Sequence, residues 1–142
     1  MPSDAMLKGM NTIHRGLLKI SGGRLGWTAG KMPVLELTTT GRKSGEPRSL
    51  PLIYGEAGDG YVIIASKGGM PNHPVWFLNL QANPECELMV GPKHVTARAR
   101  VAEGEERERL WKRMAEIYPP YDEYQERAGD RTIPVVVLDP VA

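Results

Sequence analysis

Four short stretches of this chain carry the residue types that bind and transform small molecules. The first is Gly41-Arg42-Lys43-Ser44-Gly45, with Arg48 three residues on. Its glycines permit positive φ, so successive N–H groups can converge on one point. Two guanidinium groups, an ammonium and a hydroxyl complete a donor set suited to phosphate or carboxylate. The same residues also make an ordinary solvated hairpin turn, and both readings stand. The spacing is not that of a P-loop, which needs Gly-x4-Gly-Lys-Ser/Thr. The second stretch is Ser66-Lys67-Gly68-Gly69, a hydroxyl, a cation and two permissive glycines after an apolar run. It suits the polar edge of a ligand, or a simple turn. The third is His73-Pro74-Val75-Trp76-Phe77-Leu78-Asn79-Leu80, where Trp76 either packs in a core or lies against a flat ring. Free amides at that helix start could meet an oxyanion. His73 has no evident catalytic partner and reads as structural or exposed. The fourth is Tyr118, Tyr121 and Tyr124: phenols that line a substrate cavity or pack with their hydroxyls at the rim.

These groups need elements to carry them. Apolar residues at spacings of three and four (Met6, Met10, Ile13, Leu17, Ile20) predict a helix over residues 4–20. It either covers the domain or, with Lys8, Arg15 and Lys19 off the stripe, touches a membrane surface. Glycines 22, 23, 26 and 30 then form a link. Strands are expected at 34–40 and 48–54, making a hairpin around the basic turn, with Pro51 marking an edge or bulge. Glu56 to Gly60 is the next turn, and its Asp-Gly pair signals a hairpin into a strand at 61–66. A helix from Pro74 stops near Asn83-Pro84. Strands at 85–90 and 94–101 flank Gly91-Pro92-Lys93. Helices follow at 103–118 and 121–127, separated by Pro119-Pro120, and 133–138 is a last strand. Hairpins without βαβ alternation argue against a Rossmann fold and for a small, partly open antiparallel barrel with helices around it, an α+β class.

Composition narrows the function. With 142 residues the chain fits one domain, and 41% hydrophobic with 25% charged residues is an ordinary globular balance. A formal net charge of +1 gives no global pull on nucleic acid, so no nucleic-acid partner is expected. Cys86 is the sole cysteine, no His/Cys cluster surrounds it, and neither a disulfide nor a metal site is expected. No signal-like segment or membrane-length apolar run is present, which points to the cytoplasm.

In order, Leu37-Thr38-Thr39-Thr40-Gly41-Arg42-Lys43-Ser44-Gly45, Arg48, Pro51-Leu52, Ala65-Ser66-Lys67-Gly68-Gly69, His73 to Leu80, Ala82-Asn83-Pro84, Arg98, Arg107, Leu110-Trp111, Pro120-Tyr121 and Tyr124-Gln125 resemble the deazaflavin-dependent nitroreductase family, also described as quinone or enone reductases using reduced coenzyme F420. The likeness spans about residues 33–140. It implies a split β-barrel related to flavin-binding reductases, over residues 31–142, with 1–30 as helix and linker. It implies that Arg42, Lys43, Ser44 and Arg48 hold the phosphate and polyglutamate tail. Ser49, Leu50, Pro51, Leu52 and Ile53 run beside the cofactor; Ile64, Ala65, Ser66 and Lys67 meet its ring and linker; Val75, Trp76, Phe77, Leu78 and Asn79 close over it. Val75 stands where some relatives carry Met, which alters the ring pocket. Tyr118, Tyr121 and Tyr124 face the substrate. A deazaflavin is a hydride donor, so the expected partner is a small hydride acceptor: an enone, a quinone, a coumarin-like lactone or a nitroaromatic. Charge developing on its oxygen would be met by Ser66, Tyr121 or a backbone amide, and Tyr121 or water would deliver the proton. Two alternatives stay open: FMN as the cofactor of the same barrel, and a non-catalytic carrier of deazaflavin or of a fatty-acid-like ligand. Split-barrel relatives often pair, so a homodimer is an expected partner state, and peripheral membrane contact through the N-terminal helix is a further expectation.

Overall fold

A computed structural model describes residues 28–29 and 32–141 of the chain. The expected helix at 4–20 and glycines 22, 23, 26 and 30 of the link lie outside the described residues, whereas Thr28–Ala29, within the expected link, form a short strand against Met32–Pro33. Eight strands form one antiparallel sheet: β1 (Thr28–Ala29), β2 (Met32–Thr40), β3 (Pro47–Ile53), β4 (Gly55–Ala57), β5 (Gly60–Ile64), β6 (Glu85–Val90), β7 (Lys93–Val101) and β8 (Val135–Pro140). Among the described residues three α-helices join them: α1 (Val75–Ala82), α2 (Gly104–Ile117) and α3 (Pro120–Ala128).

The order along the sheet is β1-β2-β6-β7-β8-β5-β4, with β3 pairing β2. The sheet curls into a half barrel, and among the described residues no ladder joins β3 to β5. β3 is therefore an edge strand, as Pro51 predicts, and its register with β2 runs from Thr40↔Pro47 to Val34↔Ile53. The β6–β7 hairpin turns at Gly91 (φ 59°) as expected.

The continuous apolar runs have a simple cause: both faces of the central strands are buried. Ile63, Ala65, Val136 and Leu138 point into the barrel with Leu35, Leu37, Leu88 and the α1 side chains Trp76, Phe77 and Leu80. Their neighbours Val62, Ile64, Val135 and Val137 point the other way, under Leu110 and Met114 of α2 and Tyr121 and Ala128 of α3. Period-two alternation thus separates two cores, one closed by α1 and one by the α2–α3 pair.

Some boundaries differ from expectation for local reasons. In the β4–β5 hairpin Ala57 pairs Gly60, so Gly58 (φ 60°) takes the turn conformation, rather than the Asp59-Gly60 pair. β5 ends at Ile64, because Ser66 opens a tight turn at Lys67–Gly69. β8 starts at Val135, because the backbone at Ile133 is used by Gln125, whose Oε1 accepts its N–H at 2.9 Å.

Candidate functional site

The basic turn is built on its own backbone and tied to α1. Gly41 N–H donates to the Glu46 carbonyl at 2.8 Å, and Gly45 N–H to the Gly41 carbonyl at 2.8 Å. Gly45 sits at φ 73°, where a side chain would be strained. Arg42, Lys43, Ser44 and Arg48 are all exposed. Ser44 Oγ accepts from Glu46 N–H at 3.2 Å and from the Arg48 guanidinium at 3.4 Å. The Arg48–Glu46 pair, at 3.8 Å and open to solvent, is loose and leaves Arg48 able to turn to an anion.

Asn79 locks this turn to the barrel. Its Oδ1 accepts the Arg42 N–H at 3.1 Å, and its Nδ2 donates to Thr39 Oγ1 at 3.1 Å. Asn79 and Thr39 are each 2% exposed. An Asn with both polar atoms used internally positions the turn.

β3 offers mainly its open backbone edge. Leu50 and Leu52 pack on the barrel interior and Ile53 on the helix side, while Pro51 is buried. Ser49 Oγ lies 2.6 Å from Thr38 Oγ1.

The turn after β5 is unusual. Ile64 and Ala65 are buried, so they contribute backbone, and the half-buried Ser66 hydroxyl caps nothing within the turn. Lys67 (φ 47°), Gly68 (63°) and Gly69 (78°) are three successive left-handed residues. For Lys67 that conformation costs about 1–2 kcal/mol, and such strain persists where surroundings over-determine it. Those surroundings centre on Arg131. Its guanidinium donates to the carbonyls of Ala65 (3.0 Å), Ser66 (2.7 Å) and Met70 (2.9 Å), and meets His73 Nδ1 at 3.1 Å. His73 is therefore structural, as expected, and its ring also lies 4.9 Å from that of Phe77. Burial, then the nearby Arg131 charge, holds the His73 pKa below its ordinary value. On the other side, Gly69 backs onto α3 with no room for a side chain: a Cβ there would come within 2.6 Å of the Tyr124 carbonyl oxygen.

α1 follows directly. Trp76 and Phe77 are core residues, 6% and 4% exposed and edge-on to each other at 6.4 Å. Trp76 packs in the core, while Val75, 58% exposed, and half-buried Leu78 are the larger apolar side chains this helix leaves outward.

The three tyrosines do converge, even though Pro119-Pro120 interrupts their spacing. The break lets α2 end at Ile117 and α3 start afresh at Pro120, swinging Tyr118 back onto α3. Ring centroids are 5.0 Å (Tyr118–Tyr121), 6.0 Å (Tyr118–Tyr124) and 6.3 Å (Tyr121–Tyr124). The Tyr118 and Tyr124 hydroxyls share a hydrogen bond of 2.9 Å. Tyr121 is the deepest of the three, 5% exposed, and burial drives its pKa up. Burial, then the Tyr118 hydrogen bond, pushes Tyr124 up to about 12. Tyr121 and Tyr124 therefore stay protonated near neutrality and can donate hydrogen bonds.

The contacts form one arc: basic turn, Asn79 and α1, His73, Arg131, Ser66-Lys67, Gly69 and Tyr124, and the phenol cluster. Sequence reasoning missed Arg131, Thr39 and the Gly69–Tyr124 approach. Gly129-Asp130-Arg131-Thr132 looks like a solvated turn, and the partners of Arg131 lie some 60 residues earlier. A separate groove of about 490 Å³, lined by Gly58, Arg100, Arg109 and Asp139 among others, includes none of the arc. Its Arg100 is already held by Glu106 (2.6 and 2.9 Å) and Asp139 (2.7 Å). The arc, with cations at one end and neutral phenols at the other, is the better chemical site.

The fold places the chain among small α+β proteins built on a curled antiparallel half barrel. A family model described as F420H(2)-dependent quinone reductase matches residues 12–140, and the chain belongs to that family. An F420H(2)-dependent quinone reductase of Mycobacterium tuberculosis (strain ATCC 25618 / H37Rv) is 43% identical over 130 residues, covering 89% of this chain and 87% of the relative. A solved F420-H2 dependent reductase is 47% identical, with a TM-score of 0.70 over 75% of this chain and 94% of that one. Another solved structure, described as a domain-swapped dimer, is 40% identical, with a TM-score of 0.72 over 92% and 99%.

Proposed function

We propose that the arc is the active site of an oxidoreductase that uses reduced F420 to reduce quinone- and enone-type acceptors. Family membership supports the activity, and one observation supports the site: a strained, clamped turn links the basic hairpin to the tyrosine cluster. The residues fit the cofactor. Three exposed cations around Ser44 suit a phosphate with a carboxylate-bearing tail, and the open edge of β3 begins beside them at Arg48.

Reduced F420, when bound, supplies a hydride. Arg42, Lys43, Ser44 and Arg48 hold its tail. Ser49 and the β3 edge, the backbone of Ile64 and Ala65, and Lys67 line its path, with Val75 and Leu78 covering it. Trp76, Phe77 and Asn79 act from beneath, by fixing α1 and the basic turn. Ser66, Tyr121 or a backbone amide would donate a hydrogen bond to the acceptor oxygen as it gains charge, and the mutually bonded Tyr118 and Tyr124 would line the substrate side. Tyr121 or water then supplies the proton. A phenol held neutral by burial favours hydrogen bonding over easy proton release, so turnover should depend on Tyr121 less than on a true general acid.

In the finer description, residues 31–142 would be a split β-barrel of the flavin-binding type, and the helix expected at 4–20, outside the described residues, would cover the substrate or touch a membrane. Among the described residues no helix is long and apolar enough to cross a membrane. The dimer described for one relative favours pairing of this chain too. Fluorescence titration with F420 beside FMN, followed by assays of F420H2 oxidation with a naphthoquinone and a cyclic enone, tests the reading. Selective F420 binding with turnover of either acceptor is expected. Selective FMN binding, or tight F420 binding without turnover, would select one of the two alternatives instead.

A further inference from the structure

We infer that Arg131 is a positioning residue for the cofactor: its planar fork holds the left-handed turn Lys67–Gly69 in the one conformation that presents Ser66 and Lys67. The inference rests on the proposed reading of that turn as cofactor-facing.

The turn has little of its own to hold it. Within it run two backbone bonds, Gly69 N–H to the Ser66 carbonyl (2.9 Å) and Met70 N–H to the Lys67 carbonyl (3.2 Å). Arg131 adds three charge-assisted bonds to carbonyls before, at and after the turn. A guanidinium spans these acceptors because its donors are spread over a rigid plane; an ammonium is a point and cannot reach all of them. Arg131 is itself fixed to α3. Its N–H donates to the Ala128 carbonyl at 3.2 Å, and its carbonyl accepts from Gln125 Nε2 at 2.8 Å. Gly69 meanwhile abuts Tyr124. The turn is thus wedged between a clamp and a wall that both belong to the phenol-bearing helix. One side chain sets the distance between the groups that hold the cofactor and those that face the acceptor.

His73 makes the clamp sensitive to pH. With an Arg131 N–H pointing at Nδ1, the imidazole is neutral and carries its proton on Nε2. Arg131 is the charged group that faces it. α1 presents the uncharged Phe77 ring, and the loop presents Asn72, on which the Lys67 ammonium rests at 3.4 Å. Protonating Nδ1 removes an acceptor and sets two cations together.

The test compares wild type with Arg131→Lys, Arg131→Gln and His73→Gln. Amide hydrogen exchange across residues 66–70 in cofactor-free protein reads the clamp directly, and F420 fluorescence quenching from pH 5 to 8 reads its consequence. In Arg131→Lys, exchange in the turn should quicken about tenfold while β8 stays protected, and the Kd for F420 should rise about tenfold. Wild-type affinity should weaken as pH falls below 6.5, and this limb should vanish in His73→Gln and in Arg131→Gln. Unchanged exchange in the turn of both Arg131 variants overturns the inference, as does faster exchange with an unchanged Kd. Failure of wild type to bind F420 would instead sink the cofactor reading, while the exchange data still decide whether Arg131 clamps the turn.

Discussion

Charge and hydroxyl positions divide the labour at the scale of single residues. Lys43 and Arg48 are both exposed, so their contribution to an anionic tail would be electrostatic and screened by salt. Replacing both with Ala should raise the Kd for F420 by about 10- to 100-fold at low ionic strength, with a smaller gap at high salt. Titration at two salt concentrations checks this; an equal gap at both would argue for packing rather than charge. Tyr121 behaves differently because it is buried and its ring fills space beside Trp111, at a centroid distance of 6.3 Å. Tyr121→Phe keeps that volume and removes the hydroxyl, so kcat should fall by about tenfold or more while cofactor affinity holds. Steady-state kinetics beside a binding titration separate the two. An unchanged kcat would move proton delivery to water or to the Tyr118–Tyr124 pair.

Elements convert these residues into a site, and here the sequence was only partly legible. The β2–β3 hairpin, the β6–β7 hairpin and the two late helices follow from local signals: turn glycines, prolines and apolar periodicity. The basic turn, Ser66-Lys67 and the tyrosines were found for the same reason, since their chemistry lies in adjacent residue types. What stayed hidden depends on long-range backbone partners. Nothing near Asn79 announces that it bonds Thr39 and Arg42, forty and thirty-seven residues away. Likewise, Arg131 reads as solvated until the carbonyls of residues 65, 66 and 70 surround it. Trp76 was ambiguous because an aromatic pattern cannot distinguish a core ring from one stacked on a ligand. The turn against α3 yields a prediction at this scale. Gly69→Ala meets both a positive φ and the Tyr124 backbone, which should cost about 1–3 kcal/mol and lower the melting temperature by several degrees. Thermal denaturation checks it; a neutral change would mean that the turn and α3 separate easily.

For the molecule as a whole, buried titratable groups bound the pH range of stability. His73 resists protonation in the folded state, so stability starts to fall as pH drops below about 6.5, where the unfolded chain takes up the proton first. On the alkaline side, burial raises Cys86 from 9.0 to about 12 and Tyr124 from 10.0 to about 12. Their neutral forms are favoured in the fold, so stability is complete below about pH 9 and declines as pH climbs toward 12. Melting temperature should therefore be flat between roughly pH 6.5 and 9 and fall on both sides. His73→Gln should flatten the acid shoulder above pH 5, which thermal scans would reveal; an unaltered shoulder would assign it to other groups.

The open edge of β3 has a consequence for the empty protein. A bare edge strand invites another chain to zip onto it. Pro47 and Pro51 have no amide hydrogen, so the row of donors along β3 is broken at two places. A stray strand arriving there finds missing rungs. Pro51, which read at first as the mark of an edge, therefore also guards that edge, together with Pro47, against a strand added along β3.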